Sequence, residues 1–183
     1  MSVFDFPTPG AASGDLLAQK RRVQDYVREA SDPNEAGENG RTLLTLALLT
    51  CFEGQGEELV VDLLRRGADP NRPSAWANFT SLLTVSCSLP LVREFVDAGL
   101  RLNDVYRIDG QQTGGLLAGP CTVLNYADAV RDSIAPKRKT ANQLADRYAG
   151  GLGPRRRFID ESIALLESSG AERAVRGERP SAE

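Results

Sequence analysis

The segment RRGADPN, residues 65–71, follows the apolar run LVVDLL and ends a helix in a defined way. Two arginines close the helix against its dipole, Gly67 is free to turn left-handed, and Pro70 cannot continue the helix. Related endings stand at residues 30–34 (ASDPN) and 98–103 (AGLRLN). Gly67 lies 32 residues before Gly99, and Asn71 lies 32 before Asn103. Helix ends that return at one interval commit a chain to building similar units in succession.

The residues between the endings read as pairs of short helices. Residues 42–49 (TLLTLALL) are apolar almost all round, so a helix there must be covered on most sides. Gly54 and Gly56 break it, and residues 57–66 start acidic and end basic, as a helix dipole favours. The same order returns in residues 80–86 (TSLLTVS), a short apolar helix, followed by a second helix over 91–96 with Pro90 in its first turn. A third round starts at residues 122–127 and closes at 158–169, before Gly170. Upstream, residues 15–29 (DLLAQKRRVQDYVRE) form one helix or two short ones with a charged outer face. Residues 1–13, with Pro7, Pro9 and Gly10, read as a flexible arm, and residues 174–183 as a flexible tail. The expected domain is therefore 14–173.

A period near 33 with two helices per unit is the ankyrin pattern. Gly40-Arg41-Thr42-Leu43-Leu44-Thr45-Leu46-Ala47 resembles that family's G-x-T-P-L-H-x-A start, and residues 63–71 closely resemble its ending. Residues 80–85 and 122–127 are weaker starts. The resemblance covers residues 15–172 and implies an all-α repeat solenoid: an ankyrin-like stack of about three to four helix-turn-helix units with short β-hairpin fingers. Leu43, Ser81 and Val123 replace the family's proline; Thr45, Leu83 and Asn125 replace its histidine, which ties neighbouring units by hydrogen bonds. Thr45 and Asn125 keep that capacity and Leu83 does not.

Measured by the same ruler, the chain exceeds the unit twice. The finger at 104–121 carries about eleven extra residues, with a hairpin signal at Asp109-Gly110. The second excess lies at 131–157, where 140–148 (TANQLADRY) either opens a fourth unit or elaborates the third.

Composition removes several functions. The chain has 183 residues, a net charge of −3 and no histidine. Serine-histidine and cysteine-histidine catalysis and most catalytic zinc sites are thereby excluded. Cys51, Cys87 and Cys121 lack metal or disulfide spacing; Cys51 and Cys87 read as small buried apolar residues, and Cys121 precedes a helix start, a position that favours a lowered thiol pKa. No apolar run is long enough to span a bilayer, and the first residues lack a basic region, so a cytoplasmic protein is expected. No cofactor, metal, membrane or small-molecule substrate is expected.

Three places are candidates for recognition. Trp76, the single tryptophan, stands between Arg72 and Phe79 in an expected finger; it either meets a partner or packs locally. The long finger offers Tyr106, Arg107, Asp109, Gln111 and Gln112, a protein-recognising chemistry, unless it is a tolerated insertion. The insertion 131–157, including Arg138 and Lys139, carries eight basic residues against Asp132 and Asp146, a net +6 that leaves −9 elsewhere. It either meets nucleic acid or an acidic partner, or is a solvated loop. The resemblance implies a non-catalytic protein-protein interaction module; the small single domain and acidic body add the expectation that it binds and inhibits or occludes one partner, as a bacterial immunity protein does a toxin. The alternative is an adaptor that meets nucleic acid or an acidic partner through 131–157.

Overall fold

The computed structural model describes residues 2–6, 13–38, 40–51, 56–72, 75–85, 88–108, 117–134 and 152–174. The described residues are mostly helical, with one two-stranded sheet among them. The chain divides into two units, Met1–Leu100 and Arg101–Glu183.

The first unit holds a 3-10 turn (Val3–Asp5) and helices α1 (Ser13–Glu29), α2 (Leu43–Thr50), α3 (Glu57–Arg65), α4 (Ala75–Val85) and α5 (Leu89–Asp97). The charged stretch before residue 30 is thus a single helix. The all-round apolarity of α2 is used as expected: it packs against α1, α3 and α4, and Leu43, Leu44, Leu46, Ala47 and Leu48 are all buried. Thr42 caps α2 by accepting from the Thr45 amide at 3.2 Å. α3 packs on α5, burying Leu63 and Leu64 on one side and Leu91, Val92 and Phe95 on the other.

Three helix ends are closed in one way. Gly67, Gly99 and Gly170 have φ of 92°, 87° and 90°, where a β-carbon is disfavoured. The Gly67 amide donates to Leu64 and the next amide to Leu63; Gly99 and Gly170 repeat both bonds. Each following residue, Ala68, Leu100 or Ala171, is buried. An asparagine from upstream then clasps each end. Asn34 donates to the Gly67 carbonyl (2.9 Å) and accepts from the Asp69 amide (2.7 Å). Asn71 donates to the Gly99 carbonyl (2.9 Å). In the second unit Asn103 donates to the Gly170 carbonyl (3.0 Å) and accepts from the Glu172 amide (2.7 Å). Asn34 and Asn71 are themselves held by Asp32 and Asp69, whose carboxylates accept from the asparagine amides at 2.8 Å. Arg66, read from sequence as serving its own helix, also donates to the Val27 and Ala30 carbonyls at the end of α1.

The expected start of the second helix pair is corrected. α4 begins at Ala75, five residues before Thr80, and its tie to α2 is Asn78. Asn78 is fully buried; its amide donates to the Pro70 and Arg72 carbonyls at 2.8 and 3.0 Å. Its carbonyl accepts from the Thr45 hydroxyl at 2.7 Å. Asn78 lies 33 residues after Thr45, so it fills the position assigned to Leu83. Leu83 is instead core. The register slipped because Thr80-Ser81-Leu82-Leu83 imitates the Thr-x-Leu start, while Ala75-Trp76-Ala77-Asn78 does not.

The expected arm also changes. Phe4 and Phe6 are buried, and Arg41 donates to both of their carbonyls. Residues 2–6 therefore belong to the packed unit; residues 7–12 lie outside the described residues.

The second unit holds β1 (Tyr106–Ile108), β2 (Gly119–Cys121), α6 (Val123–Ser133) and α7 (Leu152–Ser168). Thr122 and Asn125 form a capping box at the start of α6. α6 packs on α7 through Val123, Leu124, Ala127 and Val130 against Phe158, Ile159, Ile163 and Leu166. α7 starts six residues before the expected 158, with Pro154 in its first turn. Residues 131–134 and 152–157 of the expected insertion are thus the ends of two helices, and 135–151, including 140–148, lie outside the described residues.

Candidate interaction surface

The hairpin places the clearest exposed group. β1 and β2 are antiparallel, with Tyr106 opposite Cys121, Arg107 opposite Pro120 and Ile108 opposite Gly119. The pairing ends at Ile108 and Gly119, and the Asp109-Gly110 signal lies outside the described residues. Asp109, Gln111 and Gln112 lie outside the described residues. Alternation along the strand turns Tyr106 inward, half-buried, and leaves Arg107 exposed, with Val105 exposed two residues from it and Pro120 exposed across the ladder. Burial, and after it the Asp104 carboxylate, push the Tyr106 hydroxyl above its ordinary pKa, so it stays neutral at physiological pH. Arg101 and Asp104 pair at 3.1 Å beside the strand. The outward face of this hairpin is therefore a guanidinium between two apolar groups.

The other candidates separate. Phe79 is fully buried on α4 and is a core residue, which removes it from the recognition set. Trp76 lies in the first turn of α4 rather than in a finger, and its side chain lies outside the described residues. Arg72 is exposed; its carbonyl accepts from Asn78 and, at 3.5 Å, from the Thr42 hydroxyl. Arg138 and Lys139 lie outside the described residues.

Several basic groups of 131–157 are engaged internally. Arg131 pairs with Asp128 (2.9 Å) and Asp132 (3.5 Å), and Arg157 with Glu161 (2.8 Å). Arg155 is buried, its guanidinium 5.7 Å from the Phe158 ring centroid. Arg156 is exposed on α7. Sequence alone weighs these charges equally, because it does not place a carboxylate one helical turn away.

Cys51 and Cys121 are buried free thiols, and Cys87 lies outside the described residues. Burial, followed for Cys51 by the charges of Glu57 and Glu58, pushes each thiol up to about 12 from an ordinary 9.0. The unfolded chain therefore ionises first as pH rises, so this contribution to stability is full below about pH 9 and is lost toward pH 12. Folded Cys87→Ser protein should resist Ellman's reagent at about pH 8, react fully in guanidinium, and lose melting temperature between pH 9 and 12. Fast labelling of the folded variant would contradict the burial.

Among the described residues no three cysteines or carboxylates gather as a metal-holding group, and no helix is long and apolar enough to cross a membrane. Neither a family model, nor a curated protein, nor a solved structure matches the chain.

Proposed function

We propose that the protein is a non-catalytic binding module, built as a short ankyrin-like stack, that holds and occludes one partner protein. The observation that carries the reading is the repeated asparagine clasp on glycine-closed helix ends. It supports units of one kind set in series, an architecture whose loops and fingers serve as recognition surface. The contact set drawn from the exposed residues is Arg107 with Val105 and Pro120, together with Arg72. Arginine beside apolar groups on paired strands has the chemistry of an interface anchor. An inhibitor of the toxin-immunity kind fits this reading, with the acidic remainder of the chain suited to a basic partner.

The test is purification of the chain at endogenous level from its native host. A stoichiometric partner lost from the Arg107→Glu variant is the expected result. Recovery of the chain alone would overturn the reading. The nucleic-acid alternative is weakened by the internal pairing of Arg131 and Arg157 and the burial of Arg155. A mobility shift with DNA or RNA that fades steeply as salt rises would restore it.

A further inference from the structure

The amino-terminal residues occupy a groove whose walls carry hydrogen bonds of their own. One wall is Tyr26 on α1, fixed by its hydroxyl donating to Glu35 at 2.5 Å. The other is formed by Gly37, Gly40 and Arg41, joined by the Gly37 amide on the Arg41 carbonyl and the Gly40 amide on the Gly37 carbonyl, both at 2.9 Å. Phe4 meets the Tyr26 ring edge-on, centroids 6.1 Å apart. A β-carbon at Gly37 would stand 2.5 Å from Phe4, so the seat exists only because that residue is glycine. Phe6 fills a second buried position, and Arg41 donates to the carbonyls of both aromatic residues.

The occupant is folded locally. The Ser2 hydroxyl accepts from the Phe4 amide, and the Ser2 amide donates to Asp5 at 3.0 Å, so the turn is capped by its own side chains. Asp5 itself is exposed. α2, the centre of this unit, is covered by α1, α3 and α4. A groove with internally bonded walls, a self-capped occupant and recognition through two aromatic seats and two backbone carbonyls together describe a peptide site filled in cis.

We infer that this groove is a recognition site for a peptide with two aromatic side chains flanking an acidic residue, and that residues 2–6 are its resident competitor. A partner segment of that pattern enters by displacing them. The six residues that tether the occupant to α1 span at most about 20 Å, which keeps it at high local concentration. The inference rests on a surface other than the hairpin and stands apart from the function proposed above.

The probe is a fluorescent peptide of residues 2–7 (SVFDFP), titrated by anisotropy into the full chain. The Phe4→Ala/Phe6→Ala variant, with its seats empty, should bind about tenfold or more tightly than the unaltered chain. Adding Arg41→Ala should remove at least about tenfold of that gain, and a peptide with both phenylalanines changed to alanine should not bind. A folded double variant that binds no better than the unaltered chain up to about 1 mM peptide would overturn the inference. If the double variant loses its helical circular dichroism, Ser2→Ala/Asp5→Ala decides, since it removes only the caps. Tighter peptide binding than the unaltered chain supports the site; unchanged binding overturns it. A chain that elutes as a dimer the peptide cannot dissociate would make the occupant a second copy, and that too overturns the partner-peptide assignment.

Discussion

Phe79→Ala should destabilise the chain by about 3–5 kcal/mol, the range for deleting a fully enclosed aromatic ring. Phe79 stands at zero exposure on α4, next to Asn78 and one turn from Leu82 and Leu83, which are equally enclosed. Removing the ring forfeits its transfer free energy and leaves a cavity in the core that packed neighbours fill only in part. A natural domain has only about 5–15 kcal/mol to lose. The variant should therefore unfold at much lower urea with an unchanged denaturant slope. Arg72→Ala, made in parallel, should stay within about 0.5 kcal/mol, as exposed side chains do. A loss below about 1 kcal/mol for Phe79→Ala would return the residue to the recognition surface.

The contrast between Phe79 and Arg72 shows where the sequence is legible. The helix ends were readable because glycine, asparagine and proline act through the backbone, and their consequences are local. Gly67, Gly99 and Gly170 close their helices as their spacing implies, and the burial of α2 follows from its lack of any polar face. The asparagines were visible as a ruler but not as clasps, since a bond from Asn34 to Gly67 spans 33 residues. The start of α4 was misread for a reason of the same kind. Asn78 is chosen by a carbonyl pair at Pro70 and Arg72 and by the Thr45 hydroxyl, none of which is its sequence neighbour. Local pattern favoured Thr80, and a tertiary hydrogen-bond network won. The amino-terminal seat was hidden likewise: Phe4 and Phe6 lie beside prolines and a glycine, and the decisive residue, Gly37, is far along the chain. Of the candidate recognition residues, Arg107 is exposed because strand alternation decides which way it faces.

The second large effect concerns the carboxyl-terminal helix. A chain ended after residue 157 should lose the fold of Arg101–Glu183, whereas one ended after residue 174 should melt with the intact protein. The first truncation removes Phe158, Ile159, Ile163 and Leu166, the buried face of α7, and uncovers Val123, Leu124, Ala127 and Val130 on α6. At about 1.5–3 kcal/mol for each large side chain, the lost burial is comparable with the whole stability of a domain. The polar ties go with it. Asn103 loses the Gly170 carbonyl and the Glu172 amide, and the Thr122 hydroxyl loses the Glu172 carbonyl at 2.7 Å. Asp128 loses the Arg173 guanidinium at 2.6 Å, and Asn125 loses the Ala174 amide at 2.9 Å. Ending at residue 174 keeps every one of these bonds, because Ala174 is the last residue that makes one of them. Hydrogen exchange localises the outcome: α6 amides should exchange as an unfolded chain does in the shorter protein, while α2 and α3 stay protected. Equal melting temperatures for the two truncations would mean that α6 is held by something other than α7.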